Sequence, residues 1–233
     1  DNKAILDSVG GGDGVVYNWP TWVGYPPSVA TPFEDLPKST QELFGFNPEK
    51  AKKLLAEAGY PDGFTTKLDV SSSSPDYLDI ASLVVGYWKD IGVKCDINPM
   101  EYSSLHSMMR AGDHKQLLQV GKGTTNPIRV LRIMGMPGFW WNSAKFNDPE
   151  YNDLFEQALT ASSTEERLPL IRGLQQRMLD QAPYFGLYGA YFYRYAWPWV
   201  KNYYGESDTG YFCFAPIWGS VFIDQDQRKK MGH

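Results

Sequence analysis

The residues with most to offer a ligand sit together at 121–127, in the run Gly-Lys-Gly-Thr-Thr-Asn-Pro. Lys122, Thr124, Thr125 and Asn126 bring an ammonium, two hydroxyls and a carboxamide into one short loop. Such groups orient a polar solute by hydrogen bonds. Trp140 and Trp141 follow closely, and indoles cover apolar surface while keeping one donor for an acceptor. The run leaves a short apolar segment, and ligands of open α/β sheets gather at the carboxyl ends of strands. The competing reading is a surface loop in which Thr125 or Asn126 caps the next helix.

Other chemistry is poorly served. The histidines are His106, His114 and His233, none with a second ligand at metal-binding spacing. Cys95 and Cys213 are too few for a metal cage. They leave open a single disulfide if the protein is exported; otherwise Cys95 reads as a small hydrophobe in a buried strand. No Gly-x-Ser-x-Gly elbow, Walker loop or zinc-protease motif occurs. Gly10–Gly14 is glycine-rich but lacks the strand and lysine of a phosphate cradle. The Glu165-Glu166 pair opens a helix, where the dipole accounts for it. No catalytic set, metal site or cofactor is expected.

The elements that must position these residues are legible in the spacing. Asn47-Pro48 caps and starts a helix whose apolar face is Ala51, Leu54, Leu55 and Ala58, stopped at Gly59. Phe64, Thr66, Leu68 and Val70 alternate as a strand. Tyr77, Ile80, Ala81, Val84, Val85 and Trp88 keep helical spacing up to Gly92. Val93, Cys95 and Ile97 make a second strand, so a strand–helix–strand unit is expected. A helix over about 102–110 and a strand at 116–120 lead to the donor loop, with a further helical stretch near Ile128–Met134. Two late helices follow. The first starts at Asp148-Pro149 and buries Tyr151, Leu154, Phe155, Ala158 and Leu159. The second is opened by a Ser163–Glu166 capping box and buries Leu170 or Ile171, Leu174, Met178 and Ala182. Pro169 predicts a kink or an irregular first turn in it. The aromatic run at 183–200 has strand composition. Residues 1–9 predict a short helix, 13–45 an irregular loop, and the tail an irregular stretch with a strand near Val221–Ile223.

The 233 residues carry 22 Lys and Arg against 27 Asp and Glu, a formal charge of −5 without a basic stripe, which argues against nucleic acid. With 8 Trp, 15 Tyr and 12 Phe, the composition favours a ligand cleft or interface. No segment is long and apolar enough to span a bilayer; the nearest, 182–200, is broken by Pro183, Arg194 and Pro198.

Three quoted stretches in order carry a resemblance: FNPEKAKKLLAEAGYPDGF from Phe46, WKDIGVKCDI from Trp88, and FNDPEYNDLFEQALTASSTEERLPLIRGLQQRMLDQAPYFGLY from Phe146. Together they resemble the family 5 extracellular solute-binding proteins, the peptide, nickel and related receptors of ABC importers. The resemblance implies an α/β fold, the mixed-sheet C-terminal large lobe of a bilobal, type II periplasmic-binding-protein-like receptor. Residues 1–200 are then expected to form the ligand-facing lobe and 201–233 a return segment toward an N-terminal lobe. It further implies a non-enzymatic monomer that captures a small solute and delivers it to membrane permease subunits, in the periplasm or tethered outside the cell, from a precursor with a signal peptide. Peptide-binding relatives carry an aspartate in the loop after the third strand, pairing with the peptide amino terminus. The matching stretch here, Gly121 to Leu131, has no acid, and Lys122 has the wrong sign. A solute without a free amine is expected, such as a sugar or an anion, held by Lys122, Thr124, Thr125, Asn126, Trp140 and Trp141. Two other classes stay open. An extracytoplasmic enzyme would need a perturbed acid in a cleft. An interaction domain reusing the fold would need a large exposed apolar patch.

Overall fold

The computed structural model describes residues 1–21, 24–121, 126–191, 193–206 and 215–232. Contacts divide the chain into two compact units, Asp1–Ala190 and Tyr191–His233.

The first unit is organised by a three-stranded parallel sheet in the order β3-β2-β4. Strand β2 (Thr65–Ser71) lies between β3 (Lys94–Met100) and β4 (Leu117–Gln119). Being central, β2 is buried on both faces: Leu68 and Val70 on one, Asp69 and Ser71 on the other. The buried Asp69 accepts from Asn98 Nδ2 at 2.7 Å and lies 3.4 Å from Lys67 Nζ, so the polar face is internally satisfied. Helix α4 (Pro75–Asp90) packs Ala81 against Leu68 and Val70. Helix α5 (Tyr102–Ala111) connects β3 to β4 across β2. The two crossovers run in opposite directions along the sheet. Parallel crossovers are right-handed, so α4 and α5 cover opposite faces. Cys95 is half-buried because β3 is an edge strand, not the buried strand expected.

A helical layer makes the largest core. Helices α6 (Pro127–Gly135), α7 (Pro149–Thr160) and α8 (Thr164–Gln181) pack Leu131, Met134, Tyr151, Phe155, Leu174 and Met178 together. Helix α1 (Asn2–Val9) docks Ile5 on Ile80 and Val84 of α4. The stretch to residue 45 is largely irregular, with the short pair β1 (Gly14–Val15) to β5 (Gly189–Ala190) and helix α2 (Lys38–Gln41).

Several expectations are corrected. Helix α3 (Pro48–Glu57) has the expected Asn47 cap, but none of its residues is fully buried; Ala51 and Leu55 on its apolar face are half-buried and Leu54 is exposed. Leu159 is 46% exposed, and Ala182 ends α8 at φ 44° instead of packing. Helix α8 is continuous through Pro169, which is exposed to solvent. Glu166 reaches back to Ser162 N at 3.0 Å, one residue before the expected capping-box partner. Among the described residues the aromatic run yields only β5 and, in the second unit, β6 (Val200–Lys201), since prolines and the lack of partner strands interrupt it. That unit pairs β6 with β7 (Phe222–Ile223), stacks Trp197 on Trp199 at 4.7 Å, and adds helices α9 (Ala215–Trp218) and α10 (Gln225–Lys230), which the sequence reading lacked.

Candidate functional site

The carboxyl ends of β2, β3 and β4 form one rim. Strand β2 ends in Ser71 and runs into Ser72 and Ser73. Ser72 donates through both its backbone N–H and its hydroxyl to Met100 O, at 2.8 and 2.9 Å, tying the ends of β2 and β3. The Ser71 and Ser73 hydroxyls are 2.9 Å apart. At the end of β4, Gln119 Nε2 donates to Tyr77 O at 3.0 Å. Gly121 follows, and a Cβ there would fall 2.4 Å from the Tyr77 hydroxyl, so that phenol lies against the chain as it leaves the sheet. The rim is thus lined by hydroxyls and amides. The sequence reading named none of these serines as site residues; the signal that could have found them is a hydroxyl run directly following a strand of a parallel sheet.

Lys122, Thr124 and Thr125 lie outside the described residues. Asn126 is the cap of α6: its Oδ1 accepts from Arg129 N at 2.9 Å, which decides between the two capping residues offered by the sequence. Asn126 therefore stands where the loop from the rim becomes helix.

Trp140 and Trp141 lie on the loop after α6. The structure brings them together edge to face at 5.2 Å. Trp140 also meets α5, with His106 at 6.3 Å and the Arg110 guanidinium 4.6 Å above its ring. The loop is shaped by Asn142, 7% exposed. Asn142 donates to Met136 O and Phe146 O and accepts from Phe146 N and the Tyr184 hydroxyl, using every polar group it has. Tyr184 is held well above its ordinary pKa by burial, so the hydroxyl keeps its proton. Between this loop and the carboxyl end of α5 opens a cavity of about 390 Å³. His114 enters it with Nε2 donating to Ser143 O at 2.5 Å. Cys95 is a free thiol on β3, pushed up by burial and by neighbouring Asp96. Cys213 lies outside the described residues.

This architecture is that of solved binding proteins. The structure of HbpA2 from Haemophilus parasuis superposes with a TM-score of 0.66 at 29% identity, over 78% of this chain and 36% of that one. The fold is therefore the α/β lobe of a type II periplasmic binding protein. Residues 1–134 match the family described as bacterial extracellular solute-binding proteins, family 5 Middle, and the chain belongs to that family. Heme-binding protein A of Haemophilus influenzae is 29% identical over 224 residues, 93% of this chain and 39% of that protein. The periplasmic murein peptide-binding protein MppA of Escherichia coli is 26% identical over 77% of this chain and 33% of its own length. The chain thus spans between a third and two fifths of the curated relatives it matches. Both relatives are named as binding proteins, and MppA as a periplasmic one.

Proposed function

We propose that this chain is one lobe of the solute-binding component of an ABC importer, capturing a small solute against a second lobe and handing it to membrane permease subunits. Family membership carries the reading, and the rim of hydroxyls and amides at the carboxyl ends of a parallel sheet gives it a physical site. Hinge closure between two lobes sequesters a solute from water. The role is non-enzymatic and the receptor monomeric, in the periplasm or tethered at the outer face. Residues 1–200 serve as the ligand-facing lobe and 201–233 as the return segment toward the other lobe.

Lys122, Thr124, Thr125 and Asn126 are the proposed contacts at the rim. Trp140 and Trp141 are proposed as ligand contacts too; of the two, Trp140 lines the cavity beside α5. The relatives are named for cargoes as different as heme and murein peptide, so cargo follows the loops more than the fold. Residues 121–126 contain no carboxylate. A peptide ammonium would lose its charge-assisted partner there, at a cost of about 1.5–3 kcal/mol. The solute is therefore a sugar or an anion, not a free-amine peptide.

Calorimetry on the full-length receptor tests this. Unblocked di- and oligopeptides are expected to bind no better than their N-acetylated forms; tight binding abolished by acetylation would sink the ligand reading. The 233-residue chain alone supplies half the contacts and is expected to bind solute weakly at the rim. Micromolar affinity without a second lobe would remove the two-lobe mechanism.

A further inference from the structure

The cavity beside α5 lies at the far end of the sheet from the rim. Helix α5 starts just after the carboxyl end of β3 and finishes just before the amino end of β4, so Met109–Gly112 and His114 occupy the opposite edge from Ser71–Ser73 and Gln119. A solute held at the rim does not reach it; among the described contacts proposed above, Trp140 lines it.

Its lining is of one sign. Arg110, His114 and Lys145 enter the cavity, and among the described residues no aspartate or glutamate lines it, although acids outnumber bases in the chain. The usual reason for cations at a helix carboxyl end is the exposed carbonyl dipole. Here that demand is already met. Gly112, at φ 70°, and Asp113 turn their N–H groups back to Met109 O and Met108 O at 3.2 and 3.1 Å, and Lys145 Nζ covers Gly112 O at 3.0 Å. Lys145 has two N–H bonds left over.

Arg110 is held differently. Its guanidinium carbon lies 4.6 Å from the centroid of the Trp140 ring, a cation–π contact that holds the head group against the indole. Among the described residues it has no carboxylate partner. A planar fork, a nearby ammonium and an indole wall make a site for a small oxyanion, with a flat apolar body adding contact to Trp140 and Phe139. The volume, about 390 Å³, is within the range of small-molecule sites.

We propose that this cavity is a second, anion-binding site for a phosphate- or carboxylate-bearing small molecule, separate from solute capture at the strand rim. It rests on the assignment of Trp140 as a ligand contact, and stands or falls apart from import itself. The test titrates the 233-residue chain with inorganic phosphate and, separately, with benzoate at constant ionic strength, following amide and indole N–H signals by NMR. Saturable shifts are expected at the Trp140 indole, with the Asn126 and Gln119 side-chain amides unmoved. Tighter binding of benzoate identifies an aromatic carboxylate as the better class; tighter binding of phosphate identifies a phosphate group. Arg110→Gln and Lys145→Gln should each weaken binding about ten-fold, the loss of one charge-assisted contact, while Lys53→Gln on α3 leaves it unchanged. Arg110→Lys, which keeps charge but not the fork, should fall in between, and it serves if Arg110→Gln fails to fold. The proposal is overturned by shifts that do not saturate, by equal losses in Lys53→Gln, by shifts at Asn126 instead of Trp140, or by affinity unchanged in both charge-removing variants. Peptide and solute calorimetry on the full-length receptor is unaffected by any of these results, so failure here leaves the importer reading intact.

Discussion

Replacing Gly135 by alanine sets two effects of opposite sign against each other. Gly135 is the last residue of α6, and alanine in a helix is favoured over glycine by up to about 1 kcal/mol. On an exposed helix Gly135→Ala would therefore stabilise. Here a Cβ would fall 2.3 Å from the Tyr151 hydroxyl and 2.4 Å from two of its ring carbons. Tyr151 is fully buried, packs edge-on to Phe146 and donates to Leu131 O at 2.8 Å. Burial also raises its pKa, so the hydroxyl keeps its proton and the bond to Leu131 O. The ring must shift, with overpacking costing about 1–3 kcal/mol and loss of the buried hydrogen bond about 1 kcal/mol. The net expectation is destabilisation by about 2 kcal/mol, or about 4–8 °C in Tm for a chain of this size. Urea unfolding followed by far-UV circular dichroism measures it. Trimming the ring in Gly135→Ala/Tyr151→Leu should make the added methyl nearly harmless relative to Tyr151→Leu alone, a coupling that only direct contact produces. A Gly135→Ala protein as stable as the parent, or more so, would refute the packing account of how α6 is seated. That seating matters for function, because α6 begins at Asn126 and ends at the tryptophan loop.

Three further outcomes are expected. Asn126→Ala removes the α6 cap and should cost about 1 kcal/mol in urea unfolding, with weaker solute binding by the full-length receptor in calorimetry. Pro169→Ala restores a helix N–H at an exposed position of α8 and should stabilise by about 1–3 kcal/mol, read as a higher melting temperature; a lower one would show that the proline ring packs. Asp148 is held below the usual carboxylate range, first by hydrogen bonds from Arg177 at 2.7 and 3.0 Å and then by Tyr151 N. Its contribution is therefore complete above about pH 4, where the unfolded carboxylate is ionised, and is lost as pH falls through the lower folded value. Asp148→Asn should lower stability near neutrality and flatten the acid limb, measured by unfolding at a series of pH values.

Much of the fold was written locally. The Asn47, Asp148 and Ser163 caps, the glycine stops at Gly59, Gly92 and Gly112, and the period-2 run at Thr66, Leu68 and Val70 act within a turn or a strand, so neighbours in sequence suffice to read them. Burial was less legible where it depends on what lies opposite. The α3 face and Leu159 have helical spacing yet are not fully buried, and periodicity reports only that a face exists. The aromatic run at 183–200 had strand composition, but a strand needs a second strand, and β5 and β6 found partners for two residues each.

For the site the division is similar. The absence of a carboxylate in residues 121–126, the tryptophan pair and the position of the donor loop after a short strand are properties of the chain as written. Sequence order alone could not show that the serine run and Gln119 share the rim, because that follows from the β3-β2-β4 strand order. Nor could it show that Trp140 turns to α5 and packs under Arg110, thirty positions earlier in the chain. Local spacing dictates which elements form; which of their side chains share a cavity is set by crossovers and packing between residues far apart in the chain, and only the folded molecule decides that.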